Sequence, residues 1–296
     1  MKPIIKWVGG KTQILDKVLK TFPREIENYH ELFVGGGSVL FGLLESKDII
    51  VKGKVYAYDK NQKLINMYRQ IQTNPNEIHD HLIKLFTTYD TRTGTEVNRK
   101  PESEEEGLTS KESYYYWVRK TYNNLIPNTP IHTATLIFLN KTCFRGLYRE
   151  GPNGFNVPYG HYKTTPVVIL LEDVLKIQDL IKNVVFKWCD FRAAFAQTIN
   201  DGDFIYADPP YAPESVRSFV GYMRDGFDIN DHEDLFNLLK RSDIDFVMSN
   251  AKVYLVTNSF KDYKIEEVPV RRAIHSKNPG SSTIEVLVHG CNREMA

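Results

Sequence analysis

The segment that most constrains the fold runs from Asp203 to Tyr211 and contains the tetrapeptide Asp-Pro-Pro-Tyr. Its apolar run from Phe204 to Ala207 predicts a short buried strand. Two prolines end that strand, because neither has an N–H to donate to a sheet ladder. Asp208 precedes a proline and is therefore biased toward an extended backbone. The segment predicts a rigid exit from a sheet that presents a carboxylate, proline carbonyls and an aromatic ring.

This set of groups suits an exocyclic amine on a flat base. The lone pair of such an amine is delocalised into the ring and attacks an electrophile poorly. A carboxylate and a carbonyl that accept its two N–H groups would pull the nitrogen toward tetrahedral geometry and stabilise the positive charge that develops there. Tyr211 would stack on the base. An ordinary turn after a strand is the alternative that these residues alone leave open.

Composition limits the other possibilities. A chain of 296 residues that is 42% hydrophobic can bury the core of one large domain or two. The net charge of +1 predicts that any basic surface is local. Cys143, Cys189 and Cys291 are far apart, which favours a reducing compartment and predicts no metal site. We expect an intracellular protein, because the N-terminus shows no signal peptide or membrane span.

Two segments predict a nucleotide-binding α/β sheet. Residues 29–34 read as a strand that enters the glycine turn 35–37, and a helix begins at Ser38. The dinucleotide fingerprint is incomplete, because Leu40 stands where its third glycine belongs, so an NAD or FAD site is disfavoured. A second strand ends at Asp59, about 20 residues beyond the glycines, where a ribose-binding acid is expected. Capping of the following helix is the alternative for Asp59.

Between about Asn61 and Lys182 the apolar spacing becomes helical, and a polar stretch at 92–110 predicts a mobile loop. Residues 140–163 are basic, glycine-rich and interleaved with aromatics, and a turn at 151–154 predicts a protruding hairpin. Such hairpins suit DNA, because cations meet phosphates and base edges while flat rings wedge into the stack. The alternative is a structural loop whose aromatics pack on their own domain.

The rest of the chain predicts further strands. One runs from Val184 to a carboxylate at Asp190, another covers 245–250, and 263–268 with 283–289 form a closing antiparallel pair. Residues 215–226 predict a closing loop, and 271–282 a basic loop. The strand ends are expected to face one crevice, as in open α/β sheets; they are Phe33, Asp59, Asp190 and Asp208.

The order of these motifs resembles the Dam-type (class alpha, D12) site-specific DNA adenine-N6 methyltransferases, whose cofactor motif precedes the recognition domain and whose catalytic motif follows it. The resemblance covers most of the chain. It rests on residues 6–11 (Lys-Trp-Val-Gly-Gly-Lys), 31–38 (Glu-Leu-Phe-Val-Gly-Gly-Gly-Ser), 155–160 (Phe-Asn-Val-Pro-Tyr-Gly) and 208–211 (Asp-Pro-Pro-Tyr).

The resemblance implies an α/β fold: a Rossmann-like, seven-stranded S-adenosylmethionine-dependent methyltransferase sheet with helices on both faces and an inserted recognition domain of helices and a β-hairpin. It assigns 1–61 and 183–296 to the catalytic, S-adenosylmethionine-binding domain. It assigns 62–182 to target recognition, with a DNA-contacting hairpin at 140–163.

Roles for individual residues also follow from the resemblance. The predicted catalytic residues, which would hold a flipped adenine, are Asp208, Pro209, Pro210 and Tyr211. The predicted cofactor-binding residues are Trp7, Gly10, Lys11, Phe33, Gly35, Gly37, Asp59, Asp190, Phe191 and Asp208. The predicted DNA-binding residues are Lys6, Phe144, Arg145, Leu147, Arg149 and Pro158. The chain departs from the family pattern at Leu32, where Pro is usual, and at Arg145, where relatives that methylate GATC commonly carry Asn.

The implied reaction transfers a methyl group from S-adenosylmethionine to N6 of an adenine extruded from duplex DNA, within GATC or a related short palindrome. It needs no metal and no covalent intermediate. We expect a monomer or weak dimer, and any cognate restriction endonuclease is expected to act separately. Three alternatives stay open: an RNA or protein amine methyltransferase, an N4-cytosine enzyme, which would prefer Ser or Thr at position 208, and a silent DNA-binding module, which the intact cofactor motifs disfavour.

Overall fold

The computed structural model describes residues 1–164, 166–212, 227–241, 244–271 and 282–290. The closing loop predicted at 215–226 lies outside these residues, and so does the basic loop predicted at 271–282, apart from its two end residues. The chain divides into two compact units. Unit 1 comprises Met1–Gly10, Gly35–Gly37 and Asn61–Lys182. Unit 2 comprises Lys11–Val34, Ser38–Lys60 and Asn183–Ala296.

Unit 1 joins two short segments to the long stretch Asn61–Lys182. Met1–Gly10 and Gly35–Gly37 belong with unit 1. Trp7 packs against Tyr148, with ring centroids 5.0 Å apart, and Tyr68 donates its hydroxyl proton to the Gly35 carbonyl over 2.8 Å, so both segments contact this unit.

The strands are β1 (Glu25–Ile26), β2 (Tyr29–Glu31), β3 (Ile50–Val51), β4 (Val55–Asp59), β5 (Glu150–Gly151), β6 (Gly154–Phe155), β7 (Val184–Trp188), β8 (Phe204–Ala207), β9 (Asp245–Ala251), β10 (Lys264–Arg271) and β11 (Ser282–Gly290). The α-helices are α1 (Leu15–Leu19), α2 (Ser38–Glu45), α3 (Gln62–Thr73), α4 (Pro75–Asp90), α5 (Glu104–Gly107), α6 (Lys111–Tyr122), α7 (Pro130–Thr142), α8 (Leu171–Ile181), α9 (Phe191–Gln197), α10 (Ile229–Arg241) and α11 (Tyr254–Ser259). None of the helices in the described residues combines the length and the apolar character needed to cross a membrane.

Within the described residues, unit 2 is built on a seven-stranded sheet with the strand order β10-β11-β9-β8-β2-β4-β7. The strands from β9 to β7 are parallel to their neighbours. Strand β11 runs antiparallel to both β9 and β10. These findings confirm the predicted α/β fold, its seven strands and its closing antiparallel pair.

Strand β8 lies inside this sheet and is buried along its whole length. Ile205 faces a core that includes Phe191 of α9 and Leu235 of α10. Tyr206 points to the opposite face, where Phe22 packs against it with ring centroids 5.6 Å apart. A parallel strand covered on both faces needs an unbroken apolar run, and this explains why β8 was evident from the sequence.

Unit 1 is mainly helical, and its aromatic residues form its core. Phe138 of α7 makes edge contacts with Phe86 of α4 and Tyr114 of α6, at centroid distances of 5.0 and 6.0 Å. Tyr115 is fully buried and donates its hydroxyl proton to the Val157 carbonyl over 2.7 Å. The aromatic cluster at the start of α6 is therefore core rather than an exposed stacking surface.

The polar segment 92–110 is a loop, as predicted, but it contains α5 and is fastened to α6. Arg99 donates to the Glu112 carboxylate over 2.7 Å, and Lys120 donates to Glu102 over the same distance. The expectation of mobility rested on a dense run of solvated charges. The structure pairs several of those charges with side chains of the neighbouring helix.

Candidate active site

The sheet topology of unit 2 places a crevice between β2 and β8. From β2 the chain proceeds outward through β4 and β7, and then returns to the other side of β2 as β8. Ligands of open α/β sheets bind outside the carboxyl ends of the strands at such a reversal point. Leu32 and Phe33 leave the carboxyl end of β2, and Asp208 leaves that of β8. The Asp-Pro-Pro-Tyr segment therefore begins at the position where this fold binds ligands.

One oxygen of Asp208 is paired and the other is not. Lys11 Nζ donates to Asp208 Oδ2 over 2.6 Å, and the two side chains are 4% and 16% exposed. Oδ1 is buried and has no hydrogen-bond partner among the described residues. Burial raises the pKa of the Asp208 carboxyl to about 6, against the opposing effect of Lys11. A buried acceptor without a donor is costly to maintain, and a ligand N–H would satisfy it.

The two prolines fix the chain that follows. Pro209 is buried and Pro210 is exposed. After them, the Ala212 amide donates to Asn250 Oδ1 over 3.0 Å, so the end of β9 anchors the loop. The segment is held at both ends, by β8 before it and by Asn250 after it.

Tyr211 is restrained at its hydroxyl and at its ring. The hydroxyl donates to Glu285 Oε2 over 2.7 Å. Lys11 Nζ lies 4.9 Å from the ring centroid, within cation–π range. Lys11 therefore contacts both the carboxylate and the aromatic ring of the predicted catalytic segment. Its position in unit 2 explains how a lysine near the N-terminus joins a motif near residue 208.

Glu31 is a buried acid beside this site, and the sequence patterns did not single it out. It is 2% exposed, and Tyr29 donates its hydroxyl proton to Glu31 Oε2 over 2.7 Å. Burial raises the pKa of Glu31 to about 8, and the neighbouring Asp208 carboxylate adds to that increase. This increase in pKa favours the protonated form of Glu31. Its only sequence signal was a glutamate at the end of an apolar strand.

The remaining cofactor candidates of unit 2 are two aromatic residues, Phe33 and Phe191, and two acids, Asp59 and Asp190. Phe33 packs against Phe191, with ring centroids 5.9 Å apart. Asp59 ends β4 as predicted, and Asn61 caps α3 by accepting from the Leu64 amide, so the cap once considered for Asp59 belongs to Asn61. For Asp190, the structure differs from the predicted position at the end of a strand.

Asp190 does not end a strand, because β7 stops at Trp188. Its carboxylate caps α9 by accepting from the Arg192 amide over 3.0 Å and also pairs with the Arg192 guanidinium over 3.2 Å. An aspartate immediately before a helix is a favoured N-cap. The strand end was therefore predicted two residues too late, and the side chain caps the helix that follows.

The cofactor candidates of unit 1 surround a glycine turn. Gly35 and Gly37 have positive φ angles of 48° and 77°. A Cβ on Gly35 would lie only 2.9 Å from Cδ1 of Trp7, so glycine is needed there to admit the tryptophan ring. The Gly10 amide donates to the Trp7 carbonyl over 3.3 Å. The family resemblance assigns these glycines to the cofactor site, and at Gly35 the structure places the Trp7 ring against the backbone.

Residues 140–163 correspond only in part to the predicted hairpin. Helix α7 extends to Thr142, and the ladder is limited to β5 and β6 around the turn. Phe155 and Tyr159 are buried within unit 1. Packing of these aromatics on their own unit, the alternative considered from the sequence, therefore describes them correctly. The turn itself is where the sequence placed it.

The predicted DNA-contacting side chains in this segment are mostly exposed. Phe144, Arg145, Arg149 and Pro158 are exposed, and Leu147 is half-buried. Arg149 donates from Nε to Asn156 Oδ1 over 2.6 Å. Arg149 lies opposite Asn156, because the two-residue ladder continues in register to this pair, in which the Asn156 amide donates to the Arg149 carbonyl over 3.1 Å. Pro158 accepts a hydrogen bond from the Phe144 amide over 2.8 Å.

Lys6 is fixed to the same segment through its backbone. Asn140 is buried, accepts from the Lys6 amide over 2.8 Å, and donates to the carbonyls of Lys6 and Gly146 over 2.9 and 3.0 Å. The Lys6 ammonium lies 5.7 Å from the centroid of the Tyr162 ring. Asn140 was not predicted as a functional residue, and it orders the base of the loop that carries the candidate DNA contacts.

Comparison with known proteins decides the chemistry of this site. Residues 7–274 match the family model of the D12 class N6 adenine-specific DNA methyltransferases. The chain belongs to this family. It is 32% identical over 295 residues to the type II methyltransferase M.MjaIII of Methanocaldococcus jannaschii, covering 94% of each chain. It is 30% identical over 296 residues to the type II methyltransferase M1.LlaDCHI of Lactococcus lactis subsp. cremoris, covering 97% of this chain and 94% of the relative. A DNA adenine methylase of Haemophilus influenzae is 29% identical over 286 residues, covering 94% and 89%.

As a D12-class methyltransferase, the protein transfers a methyl group from S-adenosylmethionine to N6 of adenine in DNA. The resemblance drawn from the four sequence segments is confirmed. The alternatives that involved cytosine, RNA, protein substrates or a silent binding module are not supported.

Proposed function

We propose that this D12-class enzyme methylates adenine within GATC or a related short palindrome, and that Asp208 Oδ1 is the acceptor that holds the adenine N6 amino group. The observation that carries the catalytic assignment is the asymmetry of the Asp208 carboxylate. Lys11 occupies Oδ2, while Oδ1 is buried and lacks a partner among the described residues. An N–H from the substrate would supply the missing hydrogen bond.

The residues at the crevice of unit 2 fit a nucleoside cofactor. Asp59 offers a carboxylate at the carboxyl end of β4, and the hydroxyl groups of a ribose would donate charge-assisted hydrogen bonds to it. Phe33 presents an aromatic ring directly after the neighbouring strand β2. S-adenosylmethionine supplies an electrophilic methyl group on its sulfonium. We propose ribose binding for Asp59 and an apolar wall for Phe33 and Phe191. The cofactor roles of Trp7, Gly10, Gly35, Gly37 and Asp190 stay predictions from the family resemblance.

The protein's own groups act on the amine. Asp208 Oδ1 accepts one N–H of N6, and the Pro209 carbonyl accepts the other. Both contacts strengthen as positive charge develops on the nitrogen, which is the condition for stabilising a transition state rather than a ground state. Lys11 keeps the Asp208 carboxylate ionised and orients it. The Tyr211 ring stacks on the extruded base and offsets part of the few kcal/mol that extrusion costs.

Recognition of DNA is proposed for the inserted stretch of the chain. We propose that residues 62–182 read the target and that 1–61 with 183–296 perform catalysis. Exposed Arg149 is the candidate for reading a base, and Arg145 the candidate for a phosphate or for the gap left by the extruded adenine. Lys6, Phe144, Leu147 and Pro158 complete the proposed contact set. We also propose that the enzyme acts as a monomer or weak dimer and that any cognate restriction endonuclease is a separate protein.

The target sequence is tested by methylating a mixed library of duplex DNA with labelled S-adenosylmethionine and mapping the modified base with its flanking sequence. We expect N6-methyladenine confined to GATC. A map centred on another adenine-containing site would overturn the proposed target and leave the catalytic assignment intact. The Asp208→Ala variant is the control for label that arises without the enzyme's chemistry.

A further inference from the structure

Glu285 is the one acceptor that the described residues provide for the Tyr211 hydroxyl, at 2.7 Å. It lies on β11 in register with Ala251, the last residue of β9. Its neighbour Val286 is buried in the core, so alternation along the strand places Glu285 on the opposite face of the sheet. Neither the family motifs nor the sequence patterns assign Glu285 a role.

We propose that Glu285 is a positioning residue, which fixes the plane of the Tyr211 ring for stacking on the extruded adenine. This inference rests on the proposed role of Tyr211. A tyrosine ring turns about two side-chain torsions, and stacking requires that its plane match that of the base. The bond from the hydroxyl to a carboxylate is charge-assisted and therefore stronger than one between neutral groups. It holds the far end of the ring, while Pro210 and the backbone hold the near end.

Lys11 completes the restraint. Its ammonium lies 4.9 Å from the ring centroid of Tyr211 and binds Asp208 at the same time. The ring is thus held at its hydroxyl by Glu285 and on one face by Lys11. The opposite face is the one we assign to the base. In this arrangement the ring plane and the Asp208 carboxylate are set by one connected group of side chains.

Glu285 also acts on Asp208 through its charge. Glu285 raises the pKa of the Asp208 carboxyl, after burial, which is the larger cause, and against Lys11. The other titratable groups around Asp208 are Glu31, Tyr206 and Tyr211. A glutamine at position 285 keeps an acceptor for the tyrosine hydroxyl and removes the charge. It therefore separates the positioning effect from the electrostatic one.

The test compares four variants in single-turnover methylation of duplex DNA and in binding to duplexes that carry 2-aminopurine at the target position. The variants are Glu285→Ala, Glu285→Gln, Tyr211→Phe and the double variant of Tyr211→Phe with Glu285→Ala. The matched control is Glu267→Ala, because Glu267 lies on the adjacent strand β10 and pairs with Lys252 at 2.5 Å, away from Tyr211.

We expect Glu285→Ala to slow methyl transfer about tenfold, the effect of losing one ordered hydrogen bond, and to brighten the 2-aminopurine signal as stacking loosens. Affinities for DNA and cofactor should stay within about twofold of wild type. Glu285→Gln should restore the rate at pH 8 and move the acid limb of the pH profile to lower pH. The double variant should be no slower than the slower single variant, because both remove the same interaction.

The proposal is overturned if Glu285→Ala transfers methyl at the wild-type rate, if Glu285→Gln is as slow as Glu285→Ala, or if the two single effects add. Asp208→Ala is assayed alongside, because it tests the proposed catalytic segment independently of Glu285. Loss of transfer by Asp208→Ala upholds the catalytic segment whatever Glu285 does. Normal transfer by Asp208→Ala overturns the catalytic segment itself.

Discussion

The ammonium of Lys11 lies 2.6 Å from Oδ2 of Asp208, although the two residues are 197 positions apart in the chain. This pair determines the charge state of the proposed acceptor. Burial raises the pKa of the Asp208 carboxyl to about 6, and Lys11 is the main influence that lowers it. Activity should therefore depend on pH through this pair.

Lys11→Gln should move the acid limb of the kcat/KM profile to higher pH. Asp208 accepts N–H groups as a carboxylate, so activity is present above its folded pKa and is lost as pH falls through about 6. Removing Lys11 raises that pKa further, and the limb should follow it. Profiles of wild type, Lys11→Gln and the exposed control Lys17→Gln provide the measurement. Superimposable acid limbs for all three would contradict the role given to Lys11.

Glu31→Gln should remove a pH dependence of stability while preserving most of the activity. Burial raises the pKa of Glu31 from 4.5 to about 8, so the folded protein keeps a proton that the unfolded chain releases within that window. Stability from this group is therefore full below about pH 4.5 and declines as pH rises to about 8, by at most about 1.4 kcal/mol per pH unit. The free energy of unfolding, measured by urea denaturation between about pH 4.5 and 8, should decline with pH more steeply for wild type than for Glu31→Gln. Parallel pH dependences for the two proteins would contradict the raised pKa of Glu31.

Local signals in the sequence were sufficient for much of this fold and for part of the site. The apolar run of β8, the prolines after it and the glycine turn each act through neighbouring residues, so their patterns predicted the elements correctly. Glu285 could not be predicted, because it meets Tyr211 only through the pairing of β11 with β9, 74 positions along the chain. Glu31 could not be singled out, because the increase in its pKa depends on burial and on the neighbouring Asp208 in the folded protein.

The strand end predicted at Asp190 was wrong, because local hydrogen bonding competes with strand pairing there. Asp190 fits a strand-end carboxylate in a linear pattern, but a helix begins directly after it and takes the side chain as its cap. Arg149, which is predicted to contact DNA, also has a local partner, because its Nε donates to Asn156 Oδ1. A pattern of residue types does not show which of two available partners a polar side chain will choose.

Asp59→Ala should weaken binding of S-adenosylmethionine and leave DNA affinity unchanged. A carboxylate–ribose contact is charge-assisted and contributes roughly 1.5–3 kcal/mol, equivalent to about a 10- to 150-fold change in Kd. Calorimetry with the cofactor measures it, and the exposed residue Asp262 supplies the control substitution Asp262→Ala. An unchanged Kd would remove Asp59 from the cofactor site.

Arg149→Ala should relax preference at one position of the target while other sequences are methylated nearly as before. An arginine that pairs bidentately with guanine contributes roughly 1–3 kcal/mol of discrimination, after it gives up its bond to Asn156. Arg145→Ala should instead weaken all sites together and make the salt dependence shallower, as loss of a phosphate contact does. Methylation maps at two salt concentrations distinguish the two residues. A uniform loss for Arg149→Ala would reassign it to phosphate.

The most direct test of the catalytic assignment is the single-turnover rate of Asp208→Ala, measured together with its affinity for duplex DNA. We predict that methyl transfer falls by at least about 100-fold, because the lost acceptor acts where charge develops in the transition state. DNA affinity should stay close to that of wild type. Methyl transfer at a near-normal rate by Asp208→Ala would contradict the catalytic role of Asp208.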